Sequence, residues 1–430
     1  MPKGRKGDGH GAGEGSGVMT VPSATQPIDD IDFGSPDFLR DPWTPLRALQ
    51  RDQPVFWSRS QNAWIVTRHE DVLATFRDQR LSASRIVPFL ETVPGGLGDD
   101  FPLIRHFEDK WISNVDLPIH ARLRRLMANA FSKGVVEALR PTSRQICRDI
   151  LDGVEGRDVD FVVDVARELP ARVVTAMFGI PAELRDQFAT WAGHIQQATG
   201  AAVLDRAMIE LYHGTLVDMN VELLKLIEQR RAAPRDDLLS QFVQARDESD
   251  KLSDDELLGA CHATIIAGFE TTMHMLTLGM IELAERPALQ AHLLSGPIAC
   301  GKTIDELLRY IGMAKGMLRV ARSDFDWHGQ TIRKGDFVFG MNISANRDER
   351  VWADPDRIDP DRNNARSAAF GPGMHFCLGH LLAKMELGEF FTELFGGFEI
   401  EILSADRPWI NSFTFRGLEH LPVRITRKAG

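Results

Sequence analysis

The chain is predicted to fold as one large, mainly α domain with a small β region. Three observations carry that prediction. Apolar residues recur at helical spacing through most of the stretch from residue 118 to residue 285, strand-like alternation is confined to short pieces, and no internal repeat divides the 430 residues. A chain of this length could also hold two or three average domains, but nothing in it reads as a linker between them. Hydrophobic residues make up 43% and charged residues 26%, an ordinary balance for a protein with a sizeable core.

The elements are read in order. Residues 1–26 are rich in Gly, Ser and Lys and are expected to be a disordered tail, with the folded domain at 27–430. Within the tail, Gly7-Asp8-Gly9-His10-Gly11-Ala12 matches a dinucleotide fingerprint by chance, because no strand precedes it and no βαβ unit follows. Val55–Trp57 and Trp64–Thr67 alternate as two short strands. Residues 82–112, with Pro88, Pro94, Gly95, Gly96 and Gly98, read as a long loop of the kind that carries function. Helical patterns then span Pro118–Phe131, Val135–Leu151, Phe161–Phe178, Pro181–His194, Ala207–Arg231 and Asp236–Ala245.

The longest helix is expected from Asp254 to about Glu285, with Ser253 as its N-cap. Few charges interrupt its middle, so it should be buried on most sides. Strand-like pieces follow at Phe325–Trp327, Phe337–Phe339, Phe398–Ile402 and Leu421–Ile425, and a further helix at Leu378–Phe395.

Charge and cysteine usage narrow the function classes. A net charge of −11 argues against a nucleic-acid partner while leaving room for a local basic patch. Cys147, Cys261, Cys300 and Cys377 show no paired spacing, so neither a disulfide framework nor a zinc site is indicated, and a reducing cytoplasm fits. No apolar run reaches the roughly 18 residues needed to span a bilayer. No signal peptide or membrane anchor is visible, so a cytoplasmic protein with no membrane partner is expected.

One cysteine stands apart. Phe370-Gly371-Pro372-Gly373-Met374-His375-Phe376-Cys377-Leu378-Gly379 runs directly into a helical pattern. Cys377 would sit at a helix N-terminus, where free N–H groups favour a thiolate, and the glycines permit close approach of a flat ligand. A buried structural cysteine beside a glycine turn is the plainer alternative. The stretch resembles the heme-binding loop of the cytochrome P450 family, and the resemblance implies that Cys377 is the axial thiolate of heme iron. It extends from about Asp41 to the C-terminus with motifs in the family's order, and implies a triangular, mostly helical domain.

Further motifs carry the same resemblance. In Ala267-Gly268-Phe269-Glu270-Thr271-Thr272, a carboxylate and a hydroxyl lie inside an apolar helix, which is costly unless they are paired or used. Thr271 could simply bond back to its own helix. The family likeness implies instead that Thr271 hydrogen-bonds at oxygen, that Glu270 is the acid of proton delivery, and that Ala267 and Gly268 leave room for dioxygen. Glu306 and Arg309 lie at i, i+3, a spacing common on solvated helix faces. The likeness implies a structural charge network whose third member is Arg357. It also implies that His120, Arg124, Arg319 and His375 hold the propionates of heme b, with Phe370, Gly371 and Gly379 in the same loop. Ala345-Asn346-Arg347-Asp348 fits the family's order as well.

The implied activity is monooxygenation of a small hydrophobic organic substrate by dioxygen. No flavin or iron–sulfur motif is evident, so electrons are expected from a separate ferredoxin and its reductase. Arg122 and Arg125 are candidates for a basic docking patch, or equally for a solvated helix face. Substrate contacts by family likeness would come from Ile86, Phe89, Leu90, Thr264, Met313, Met317 and Phe413. The segment Tyr310–Met317 departs from the family pattern, carrying two glycines where many relatives have a proline. A peroxide-driven heme-thiolate enzyme and a non-catalytic heme sensor are the rival readings. Retention of both Glu270 and Thr271 argues against the first.

Overall fold

A computed structural model describes residues 31–201, 204–247 and 250–429. The expected tail and the chance fingerprint at 7–12 lie outside the described residues. The long helix runs from Asp254 to Ala284, 31 residues. At about 1.5 Å per residue it is long enough to cross the domain. Ser253 Oγ accepts from the Glu256 N–H at 3.3 Å, and a Glu256 carboxylate oxygen accepts from the Ser253 N–H at 2.9 Å. This reciprocal cap satisfies two N–H groups that would otherwise lack partners at the helix start. Leu257, Ile265, Phe269, Leu276 and Met280 are buried along it, as the charge-poor middle requires. Helices Glu168–Phe178 and Arg185–Gly200 pack across it on one side and His380–Gly397 on another.

Two expected elements change shape. The segment read as one helix over Phe161–Phe178 divides into a wide turn, Phe161–Ala166, and an α-helix, Glu168–Phe178. Pro170 has no N–H to offer the carbonyl four residues back. The preceding turn instead closes across five residues, Arg167 N–H to the Val162 carbonyl at 3.0 Å. The stretch 82–112 contains two short helices, Ile86–Leu90 and Pro102–Phe107, rather than being loop throughout. Leu90, expected as a substrate contact, points into the core and is fully buried.

The β region is small. Its main sheet has five strands in the order Val55–Ser58, Ala63–Val66, Phe337–Gly340, Met317–Ala321, Leu81–Ser82. Val338 pairs with Arg319 across an antiparallel register, which fixes Arg319 on the third of these interfaces. A second sheet joins Phe398–Ile402, Pro422–Arg427 and Asp158–Asp160.

The charge network is buried but differs from expectation in one member. Glu306 and Arg309 have fully buried side chains and meet through two bonds of 2.7 and 2.8 Å. The second guanidinium on Glu306 belongs to Arg362, 3.2 Å away, and not to Arg357. Arg357 is exposed and lends only its backbone carbonyl, to Arg309 and Arg362. The meander folds back so that Arg362 also binds the carbonyls of Ala353 and Asp354, and five residues of chain carry the cation inward. The departing segment has a simple account. Gly312 ends the helix Pro297–Ile311 in the left-handed region at φ 62°, and the chain then runs past the site through Met313, Ala314, Gly316 and Met317.

Candidate active site

The Cys377 loop is held open by backbone geometry. Gly371 adopts φ 66°, and a Cβ there would lie 3.0 Å from the Phe76 ring. The Cys377 N–H closes the loop on the Phe370 carbonyl at 2.9 Å, and the helix His380–Gly397 begins three residues later. Burial pushes the Cys377 thiol up, while the Gly379 N–H and the Arg124 guanidinium act the other way. Arg124 itself is fixed by donating to the carbonyls of Met374 and Phe376 at 3.1 and 2.7 Å.

Between this loop and the long helix lies a cavity of about 430 Å³. Cys377, Phe370, Gly371 and Gly379 line its floor, and Ala267, Gly268 and Thr271 line the opposite wall. Thr271 Oγ1 donates to the Ala267 carbonyl at 2.7 Å, so its lone pairs remain available to accept. Glu270 lies off the lining. Its carboxyl faces Gly193 of the Arg185–Gly200 helix, and burial lifts it to about 8 against the opposing Arg167 guanidinium. Ile86, Phe89, Thr264, Met313, Met317 and Phe413 all line the cavity, giving it largely apolar walls.

One end of the cavity gathers arginine and histidine side chains. The His120 and His375 rings are 4.2 Å apart, and His120 is 1% exposed with Nε2 lacking a partner among the described residues. Burial, then the nearby Arg124 guanidinium, holds His120 down to about 4; burial, then Arg319, takes His375 to about 3. Arg319 is lowered to about 9 by burial and by Arg85. Asp116 is the carboxylate opposing this group, and it is already engaged by Ser82 at 2.5 Å, the Ala83 N–H at 3.0 Å and Arg322. Such a set is one that a ligand with two carboxylates would neutralise. Heme, with two propionates at one edge and an iron needing a thiolate beneath, fits the donors present.

Sequence reasoning missed three groups on the lining. Arg85 donates to the carbonyls of Ala83 and Ser113 at 3.0 and 2.6 Å and adds to the cationic end. Gln196 lines the cavity from a helix that extends beyond the expected end at His194. Glu386, on the helix after Cys377, is raised by burial to about 8 and faces Thr272. None of these sits in a local pattern that a single sequence exposes. The expected basic patch is altered too: Arg122 is bound to Asp250 at 2.8 Å and Glu256 at 2.5 Å, and Arg125 lies 3.9 Å from Asp250.

Comparison with known proteins agrees with this geometry. The family model described as cytochrome P450 matches residues 99–295 and 301–425. The mycinamicin IV hydroxylase/epoxidase of Micromonospora griseorubida is 35% identical over 87% of this chain and 93% of its own length. The 6-deoxyerythronolide B hydroxylase of Saccharopolyspora erythraea is 33% identical over 92% and 98%. Among solved structures, the bacillaene polyketide synthase cytochrome P450 PksS of Bacillus subtilis 168 superposes with a TM-score of 0.81 at 31% identity, covering 92% of this chain and all of the other. No helix among the described residues is long and apolar enough to cross a membrane. The Cys377 loop, the two-sided cavity and these relatives agree, and the chain belongs to the cytochrome P450 family of heme-thiolate monooxygenases.

Proposed function

We propose that this monooxygenase hydroxylates or epoxidises an apolar small organic molecule held in the part of this cavity that heme leaves free, with electrons from a separate ferredoxin and its reductase. The observation that carries the reading is that Cys377, Thr271 and the arginine-rich end all open onto one cavity. When bound, heme b supplies the chemistry that splits dioxygen with two electrons and two protons, one oxygen atom entering the substrate and the other leaving as water.

The chain's own groups divide the remaining work. Cys377 contributes the thiolate, its charge favoured by the Gly379 N–H and Arg124. His120, Arg124, Arg319 and His375 orient the propionates, and Arg85 adds charge to the same end. Thr271, its hydrogen committed to the Ala267 carbonyl, accepts a hydrogen bond from a water or another donor at Oγ1. Glu270 keeps its proton up to about pH 8, so at neutral pH it is an acid with a proton to give. Ile86, Phe89, Met313 and Met317 exclude water and grip an apolar ligand. Electron entry fits the exposed Phe376 and Arg77, which packs against Gly373 in the Cys377 loop.

The test is spectroscopic. The reduced carbon monoxide complex of the wild type should show the red-shifted Soret band of thiolate-ligated heme, and Cys377→Ala should abolish it. A normal band surviving that substitution overturns the assignment.

A further inference from the structure

We infer that Arg85 is a carboxylate-binding site of the cavity, gripping the acid group through the paired N–H donors of its Nε–Nη2 edge. The inference rests on the reading of the cavity as the site of heme and substrate. Arg85 lines that cavity and immediately precedes the short helix Ile86–Leu90. Its Nη1 is spent on backbone, donating to the Ala83 and Ser113 carbonyls at 3.0 and 2.6 Å, which fixes the guanidinium plane. Nε and Nη2 have no partner among the described residues, yet they are not sealed in the core as the partnerless Nε of Arg347 and of Arg416 are. Burial lowers the Arg85 guanidinium, so the open edge meets the cavity rather than bulk water.

That edge is the one this chain uses for carboxylates elsewhere. Nε and Nη2 of Arg309 bind the two oxygens of Glu306 at 2.8 and 2.7 Å, and the same pair on Arg424 binds Asp158 at 2.7 and 2.9 Å. Two parallel N–H donors match a carboxylate in geometry as well as in charge. The carboxylates near Arg85 do not fill the role. Glu108 accepts from Ser84 Oγ at 3.1 Å and from the Ile86 and Val87 N–H groups at 3.2 and 3.3 Å. Asp116 is held by Ser82, Ala83 and Arg322. A desolvated guanidinium with an open fork is costly until an anion meets it. Two sources can supply the acid group. Arg319 and His375, read as propionate holders, both feel the Arg85 charge, so heme is one source. Ile86 and Phe89 line the cavity within one turn of Arg85, so an apolar substrate lying on them and ending in a carboxylate is the other.

Two arms tell the sources apart, each run on heme-loaded wild type and Arg85→Met. In the first, heme release to excess apomyoglobin is timed with ordinary heme and with its dimethyl ester, which has no carboxylate. A propionate on Arg85 makes Arg85→Met lose ordinary heme about tenfold faster, the ratio one charge-assisted hydrogen bond gives, with ester release equal in the two proteins. In the second, the heme spin-state change is titrated with dodecanoic acid, cyclohexanebutanoic acid and the methyl ester of each. A substrate acid on Arg85 makes the wild type bind at least one acid about tenfold tighter than its ester, and Arg85→Met erases that preference by weakening the acid. Either result supports the proposal. It is overturned if Arg85→Met releases both hemes at wild-type or equally raised rates and no acid preference depends on Arg85. Should Arg85→Met take up no heme, Arg85→Lys, which keeps the charge but not the fork, is read against the same limits. Failure of the underlying reading is separate and visible, as a wild-type reduced carbon monoxide complex lacking the thiolate band.

Discussion

Glu270 and Thr271 are adjacent in sequence yet meet different surroundings. Thr271 faces the cavity, whereas Glu270 turns toward Gly193 and is held protonated by burial. In the unfolded chain its carboxyl titrates near 4.5, and in the fold near 8. The folded state binds the extra proton between those values, so the stabilisation is complete below about pH 4.5 and is lost as pH rises through 8. Glu270→Gln removes this dependence. The melting temperature of the wild type should fall more steeply between pH 5 and 8.5 than that of Glu270→Gln, measured by thermal scans of the heme-loaded proteins. Glu386 contributes the same slope to both, so parallel curves would mean that Glu270 is already ionised at neutral pH. The Cys377 loop was legible because its meaning is local: ten consecutive residues fix a turn, a cysteine and a helix start. Gln196 was not, because its place on the lining depends on a bond to the Ile266 carbonyl 70 residues away.

At the scale of elements, the buried Glu306–Arg309 pair shows where pattern reading stops. Two charges on one helix turn are visible at i, i+3, but which loop arginine returns to them depends on the path of the meander. That path brings Arg362 rather than Arg357. Arg362→Ala leaves Glu306 with one buried cationic partner fewer and should destabilise by about 1–3 kcal/mol. Arg357→Ala trims an exposed side chain and should stay within about 0.5 kcal/mol. Guanidinium unfolding followed at the Soret band separates the two, and the reverse order would restore Arg357 to the network. The short helix Ile86–Leu90 teaches the same lesson. Ile86 and Phe89 reach the cavity while Leu90 turns inward, a choice made by helical phase in a stretch that reads as loop. The sheet and the capped long helix were legible because alternation and the Ser253–Glu256 spacing are properties of neighbouring residues.

For the whole molecule, a net charge of −11 repels an acidic electron donor at long range. Productive docking then depends on local cations on the Cys377 side. Arg122 is spent on Asp250 and Glu256, whereas Arg77 is exposed beside Gly373. Arg77→Glu should slow first-electron transfer from an acidic ferredoxin at least about threefold at low salt, with the gap closing as ionic strength rises. Stopped-flow reduction under carbon monoxide measures it. An unchanged rate with an intact thiolate band would move the docking surface elsewhere.

The cationic end of the cavity has a consequence for how the protein matures. Arg319 and Arg85 push against each other beside His120 and His375, which are neutral at physiological pH, and Asp116 is already shared among three donors. The polypeptide alone bears that repulsion, and the heme dianion relieves it. A ligand that binds only the folded chain stabilises it by mass action, so the heme-loaded protein should melt at a higher temperature than the same chain without heme.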